Sequence, residues 1–137
     1  MKKIKVEISP ADFLDRLSVL NIKLEKFENK KKKSSPMHDF SETTKFVLSV
    51  DAIRKAKASL FIGNIDQFNS MNSDTYIRKQ YLALQQVNKE IWELEKIADK
   101  TLEIYRQLTN LNDKRHRIKS KIDSHLGSSI GEEKGYR

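Results

Sequence analysis

The chain has 137 residues, no cysteine, and no apolar run near the roughly 20 residues that cross a bilayer. It therefore has the size of one domain that buries a core unaided, and disulfides, thiolate metal sites and spanning helices are excluded. The net charge of +8 raises a nucleic-acid reading, but half of it sits between Lys26 and Lys33, where five lysines face only Glu28, and lysines outnumber arginines 20 to 7. That pattern fits a solvated charge run and the lysine bias of an AT-rich genome better than a phosphate-binding surface.

From Lys3 to Ile8, charged and apolar residues alternate, with Ile4, Val6 and Ile8 on one side, the period of a half-buried strand. The alternation in MKKIKVEIS is too strict for a secretory leader, and the expected location is cytoplasmic. Ser9-Pro10 then signals a helix start. Serine can cap the free amides, and proline at the first helical position has no donor to leave unsatisfied.

The first helix is expected over 10–33, running into a Lys-rich loop at 29–40. Phe13, Leu17, Leu20, Leu24 and Phe27 form its core stripe. Val19 and Ile22 form a second stripe on nearly the opposite side, which contains Asp15, so this helix is expected to touch two neighbours. A second helix is expected over 41–62, capped by Ser41, with Phe46, Val50, Ile53, Leu60 and Phe61 inward and Gly63-Asn64 as its stop. The Asn- and Ser-rich segment 64–73 lacks periodicity and reads as a loop with at most one helical turn.

The third helix, over 74–98, presents Ile77, Tyr81, Leu84, Asn88, Ile91, Glu95 and Ala98 on one line. The fourth, over 101–126, presents Ile104, Leu108, Leu111, Arg115, Ile118 and Ile122. If the two were one continuous helix, these stripes would face about 180° apart. A reversal at Asp99 to Thr101, with either residue as cap, brings them into one core. Position i of the third helix then lies beside position 199 minus i of the fourth.

The fold class is thus all-α, an antiparallel bundle of about four helices with a short N-terminal strand and an ordered C-terminal tail. The tail, residues 128–137, carries Glu132 and Glu133 opposite the charges of Lys2, Lys3 and Lys5, so it is expected to lie against the strand.

Arg115 occupies a position where a leucine would serve the core. An arginine there must be paired, hydrated or bound to a ligand. Asp15 is the expected partner in an internal ion pair that fixes helix register. The alternative is an anion pocket made by Arg115, Lys119 and Lys23 with Asn88 and Asn112. His38, His116 and His125 share no metal spacing, so no metal or cofactor is expected, and no phosphate loop or nucleophile elbow occurs. Trp92 is read as packing.

The segments SPADFLDRLSVLNIKLEK, LQQVNKEIWELE, NDKRHRIKSKI and GSSIGEEKGY resemble a small bacterial family, domain of unknown function 6165. The matching positions include Ser9, Pro10, Asp15, Lys23, Asn88, Trp92, Glu95, Asn112, Arg115 and Lys119, and the tail motif Glu132, Glu133, Lys134 and Tyr136. The chain departs from the family pattern at Asn21, where glutamate is usual, and at Thr109, where tyrosine is usual. The resemblance implies an association with glycosyltransferases and surface polysaccharides.

Three functions follow as expectations. The favoured one is a non-catalytic helical module, a homodimer that binds a protein or glycan partner, because the first helix is apolar on two sides and Trp92, Tyr105 and Ile22 leave more apolar surface than four helices bury. The second is a small helical enzyme or ligand binder holding an anion on Arg115, Lys119 and Lys23. The third, not favoured, is nucleic-acid binding through Lys114, Arg117 and Lys121.

Overall fold

The computed structural model describes residues 8–33 and 40–127. They form five α-helices: α1 (Pro10–Lys33), α2 (Phe40–Phe61), α3 (Ile65–Asn72), α4 (Thr75–Glu95) and α5 (Leu102–His125). Among the described residues there is no strand. The strand expected at Lys3 to Ile8 lies almost wholly outside the described residues, as does the tail with Glu132, Glu133, Lys134 and Tyr136.

α1 is the central element and packs against α2, α4 and α5, three neighbours where two stripes suggested two. It starts as the Ser-Pro signal requires, with the Ser9 hydroxyl accepting from the Asp12 amide at 3.1 Å. Asp123 on α5 adds a second cap from across the bundle, its Oδ1 accepting from the Ala11 amide at 2.9 Å. Two orphan amides of the first turn are thereby satisfied. Phe13 and Leu17 of the first stripe and Ile22 of the second are all buried, with Ala11 and Leu14 beside them. At its other end α1 continues through Lys33, so lysines 30–33 are helical and do not belong to the loop expected at 29–40. Helix propensity explains the difference, since lysine is a good helix former and neither Gly nor Pro interrupts that run.

α2 begins at Phe40, a residue before the expected cap at Ser41, and ends at Phe61. Gly63, with φ of +79°, supplies the left-handed residue of the stop. Asn64 does not adopt that conformation; it sits at φ −123° before α3. Its side-chain amide instead donates back to the Leu60 carbonyl at 3.0 Å, satisfying one of the last carbonyls of α2.

The segment read as a loop is α3. Its apolar residues, Phe68 and Met71, are three apart and share a face. Phe68 joins Phe13 and Phe61 in an aromatic cluster with centroids 4.9 Å (Phe61–Phe68) and 5.5 Å (Phe13–Phe61) apart, both edge to face. Burial of Met71 and partial burial of Phe68, not intrinsic propensity, hold this short helix.

α4 and α5 form the expected hairpin. Asp74 caps α4, its Oδ1 accepting from the amides of Tyr76 (2.9 Å) and Ile77 (3.2 Å). Thr101 caps α5, accepting from the Ile104 amide at 3.3 Å. α4 stops at Glu95, earlier than the expected 98. Lys100 folds back there to donate to the carbonyls of Glu95 (3.0 Å) and Ile97 (2.8 Å). Ala98, placed inward by continuing the stripe, lies past the helix end and is exposed, and Glu95, the last helical residue, is exposed as well. The hairpin register is visible where His125 meets Asp74 at 2.9 Å, the pairing in which i faces 199 minus i. Ile77, Leu84 and Val87 of α4 and Ile118 and Ile122 of α5 are buried against α1 in a single core.

Candidate functional site

Four of the polar residues singled out by the sequence fall where α1, α4 and α5 meet. Asp15 of α1 is 5% exposed, an isolated position for a carboxylate. Arg115 reaches it from α5 in a two-pronged pair: Nε donates to Oδ1 at 3.0 Å and the guanidinium NH2 donates to Oδ2. Asn88 of α4 completes the approach, its amide donating to Asp15 Oδ1 at 2.9 Å and to the Ser18 hydroxyl at 3.2 Å. Lys119, one turn beyond Arg115, stands 3.7 Å from Asp15 Oδ2 and 2.7 Å from Asp12 Oδ1. Two carboxylates thus face two cations.

The electrostatics agree with the geometry. Burial pushes the Asp15 carboxyl up, but the hydrogen bonds from Arg115 and Asn88 and the charges of Arg115 and Lys119 outweigh it and hold the group below the usual carboxylate range. The same hydrogen bond raises Arg115 above its ordinary value against its own desolvation. Both groups are therefore ionised across the neutral range. The Arg115 side chain retains 29% exposure, so its outer edge meets water while its inner edge is bonded.

The remaining candidates lie elsewhere. Lys23 is on α1 eight residues past Asp15, roughly 12 Å along the axis at helical rise, and is not among the groups that meet Asp15. Asn112 donates its amide to the Leu108 carbonyl of its own helix at 3.0 Å. Neither completes an anion pocket around Arg115. Ser18 and Asp12 were not anticipated, although Ser18 lies three residues past Asp15 on the same face and Asp12 three before it, which is the signal that would have found them. Ser18 is fully buried with Asn88 as its donor.

At the far end of the hairpin, His125 was expected to favour the α5 C-terminus through the helix dipole. The structure gives it a specific partner, because its Nε2 meets Asp74 Oδ2 and its ring lies 4.3 Å from that of Tyr76. The hydrogen bond from His125, with those from the Ile77 and Tyr76 amides, holds Asp74 below the usual carboxylate range. Trp92 keeps a buried indole Nε1 for which no acceptor is found among the described residues, with Lys96 Nζ 5.8 Å from its ring centroid. No three metal-ligating side chains converge among the described residues, and no helix there is long and apolar enough to cross a membrane.

Comparison with protein-family models, with curated proteins and with solved structures finds no match.

Proposed function

We propose that the protein is a non-catalytic helical interaction module that self-associates. The observation that carries this reading is the apolar surface at the hairpin end, where Leu102 is 67% exposed and Tyr105 56% exposed on one face of α5. Ile97, before the turn, is exposed beside them in the chain. Large apolar side chains held in solvent on a rigid helix favour association. The polar cluster supports the same reading from inside: Asp12, Asp15, Arg115 and Lys119 balance one another, so two of the three cations of the anion-pocket alternative, Arg115 and Lys119, already have carboxylate partners.

The resemblance to domain of unknown function 6165 belongs to this proposal. Its support is that four residues of the quoted motifs, Asp15, Asn88, Arg115 and Lys119, meet at one point of the fold. A glycan or protein partner associated with surface polysaccharide extends the proposal in the direction that the resemblance implies.

Sedimentation at tens of micromolar tests self-association. A species of twice the 16.0 kDa chain mass is expected, and Leu102→Glu with Tyr105→Glu returns it to monomer. A wild-type protein that sediments only at 16.0 kDa overturns it.

The nucleic-acid reading keeps one observation in its favour, the exposure of Lys114, Arg117 and Lys121 along the outer face of α5. Such binding would weaken steeply with salt, about one decade per decade of salt for each phosphate contact. Salt-independent or absent retention on a DNA column removes it.

A further inference from the structure

A second opening, unrelated to the Asp15 cluster, lies where α1, α2, α3 and α4 converge, with a volume of about 230 Å³. Its walls are apolar: Leu14 and Leu17 of α1, Phe61 of α2, Phe68 and Met71 of α3, and Ile77 of α4. α3 makes it a pocket, because Phe68 and Met71 close a side that α1 and α2 alone would leave open. The edge-to-face packing of Phe61 on Phe68 and on Phe13 fixes the back wall.

The polar groups of the lining are not scattered at random in type. Lys57 of α2 and Arg78 of α4 both line the opening, and among the described residues no carboxylate does. Neither cation has an ion-pair partner among the described residues. Tyr81, one turn past Arg78, accepts at its hydroxyl oxygen from the Asn21 amide at 3.1 Å. That bond occupies the oxygen as an acceptor and leaves the O–H proton to donate elsewhere. Burial pushes the Tyr81 hydroxyl up from its ordinary value, so it keeps that proton at neutral pH.

We propose that this pocket binds a small amphiphilic anion, its apolar body against Leu14, Leu17, Phe68 and Met71 and its anionic end held by Lys57, Arg78 and the Tyr81 hydroxyl. Size sets the class. An apolar cavity of about 150 Å³ accommodates benzene, and pockets for drug-sized ligands begin near about 300 Å³. The occupant is therefore a single ring or a short aliphatic chain carrying one acidic group. A guanidinium matches a carboxylate or a phosphate with two parallel hydrogen bonds, a geometry that an amine or alcohol cannot offer.

Calorimetric titration of the full chain with octanoate, octanol and octylamine tests the proposal, with octyl phosphate as a further arm that ranks the two acidic head groups. Octanoate is expected to bind saturably and about tenfold more tightly than octanol, the range of one charge-assisted hydrogen bond at a partly exposed rim, with octylamine weakest. Methyl shifts at Met71 and Ile77 on octanoate addition locate the site. The variant Lys57→Gln with Arg78→Gln, at rim positions outside the core, abolishes the preference for octanoate over octanol while leaving octanol binding in place. Equal affinities for octanoate and octylamine in the wild type overturn the proposal without recourse to any variant. So does a preference that survives the double substitution, or octanoate binding that leaves Met71 and Ile77 unshifted.

Discussion

Replacing Arg115 with alanine removes both prongs of the pair on Asp15 and leaves a carboxylate that is 5% exposed. Breaking a buried pair by deleting one partner costs about 3–5 kcal/mol when nothing else compensates. Here two things compensate: Asn88 still donates to Asp15 Oδ1, and Lys119 stands 3.7 Å from Oδ2. Arg115 is also partly solvated already. The loss is therefore placed below that range, at about 2–3 kcal/mol. With a urea slope of about 1–2 kcal/mol per molar, the midpoint falls by about 1–3 M while the slope stays unchanged. Arg115→Lys keeps the charge and loses the fork, and recovers only part of the loss. Combining Arg115→Ala with Asp15→Ala should be less destabilising than the sum of the two, because the second change removes the stranded charge; the coupling is about 1–2 kcal/mol. An unmoved midpoint in Arg115→Ala, or strict additivity in the pair, refutes the assignment of Arg115 to Asp15.

Asp15 also makes stability depend on pH. Its folded-state carboxyl lies below the ordinary 3.8, so its contribution is present above that value and is lost as pH falls through the lower folded value. Acid unfolding of Asp15→Asn should accordingly be shallower than that of the wild type; parallel curves would exclude the linkage. Asn88→Ala takes a donor from both Asp15 and Ser18 and should cost about 1–3 kcal/mol in chemical denaturation, whereas Asn112→Ala, which bonds only its own helix, should cost much less. Leu84 is fully buried in the core cluster, and Leu84→Ala should cost about 2–5 kcal/mol, with complete retention of the midpoint arguing against the hairpin register. His125→Ala frees Asp74 from α5, so amide exchange at Tyr76 and Ile77 should accelerate while exchange at Leu108 is unaffected.

Of the four long helices, α1, α4 and α5 were legible because apolar spacing repeats over several turns in each and Ser-Pro, Asp74 and Thr101 punctuate them, and α2 through its stop at Gly63. Reversal of phase between the stripes of α4 and α5 required the hairpin, and its register followed from counting back from the turn. Asp15 and Arg115 could be matched because each interrupts an apolar line, and a charge in such a place needs an opposite charge. Asp12 escaped notice because it sits at the edge of the α1 stripe, where an acidic residue in the first turn is ordinary. α3 was missed because IDQFNSMN is poor in helix formers and has only Phe68 and Met71 to bury, a decision made by the aromatic cluster and not by local sequence. Ala98 was misplaced because the stripe was carried past the end of α4 at Glu95, and Glu95 because it sits on the last turn, where Lys100 folds back onto its carbonyl. The apolar pocket could not be read from sequence at all, since Lys57 of α2 and Arg78 and Tyr81 of α4 come to line one opening only in the folded chain, with Phe68 and Met71 of α3.

Arg115 is held by Asp15 and is not an open receptor for an anion. The Arg115 Nε–H proton reports on this directly, because it donates to Asp15 Oδ1 at 3.0 Å. Nitrogen-edited NMR of the guanidinium Nε–H groups, compared between the wild type and Asp15→Asn, gives the decisive reading. One slowly exchanging Nε–H resonance is expected, lost in Asp15→Asn and unmoved when millimolar phosphate is added to the wild type. An Arg115 Nε–H that exchanges as fast as those of surface arginines, or that shifts on phosphate addition, contradicts it.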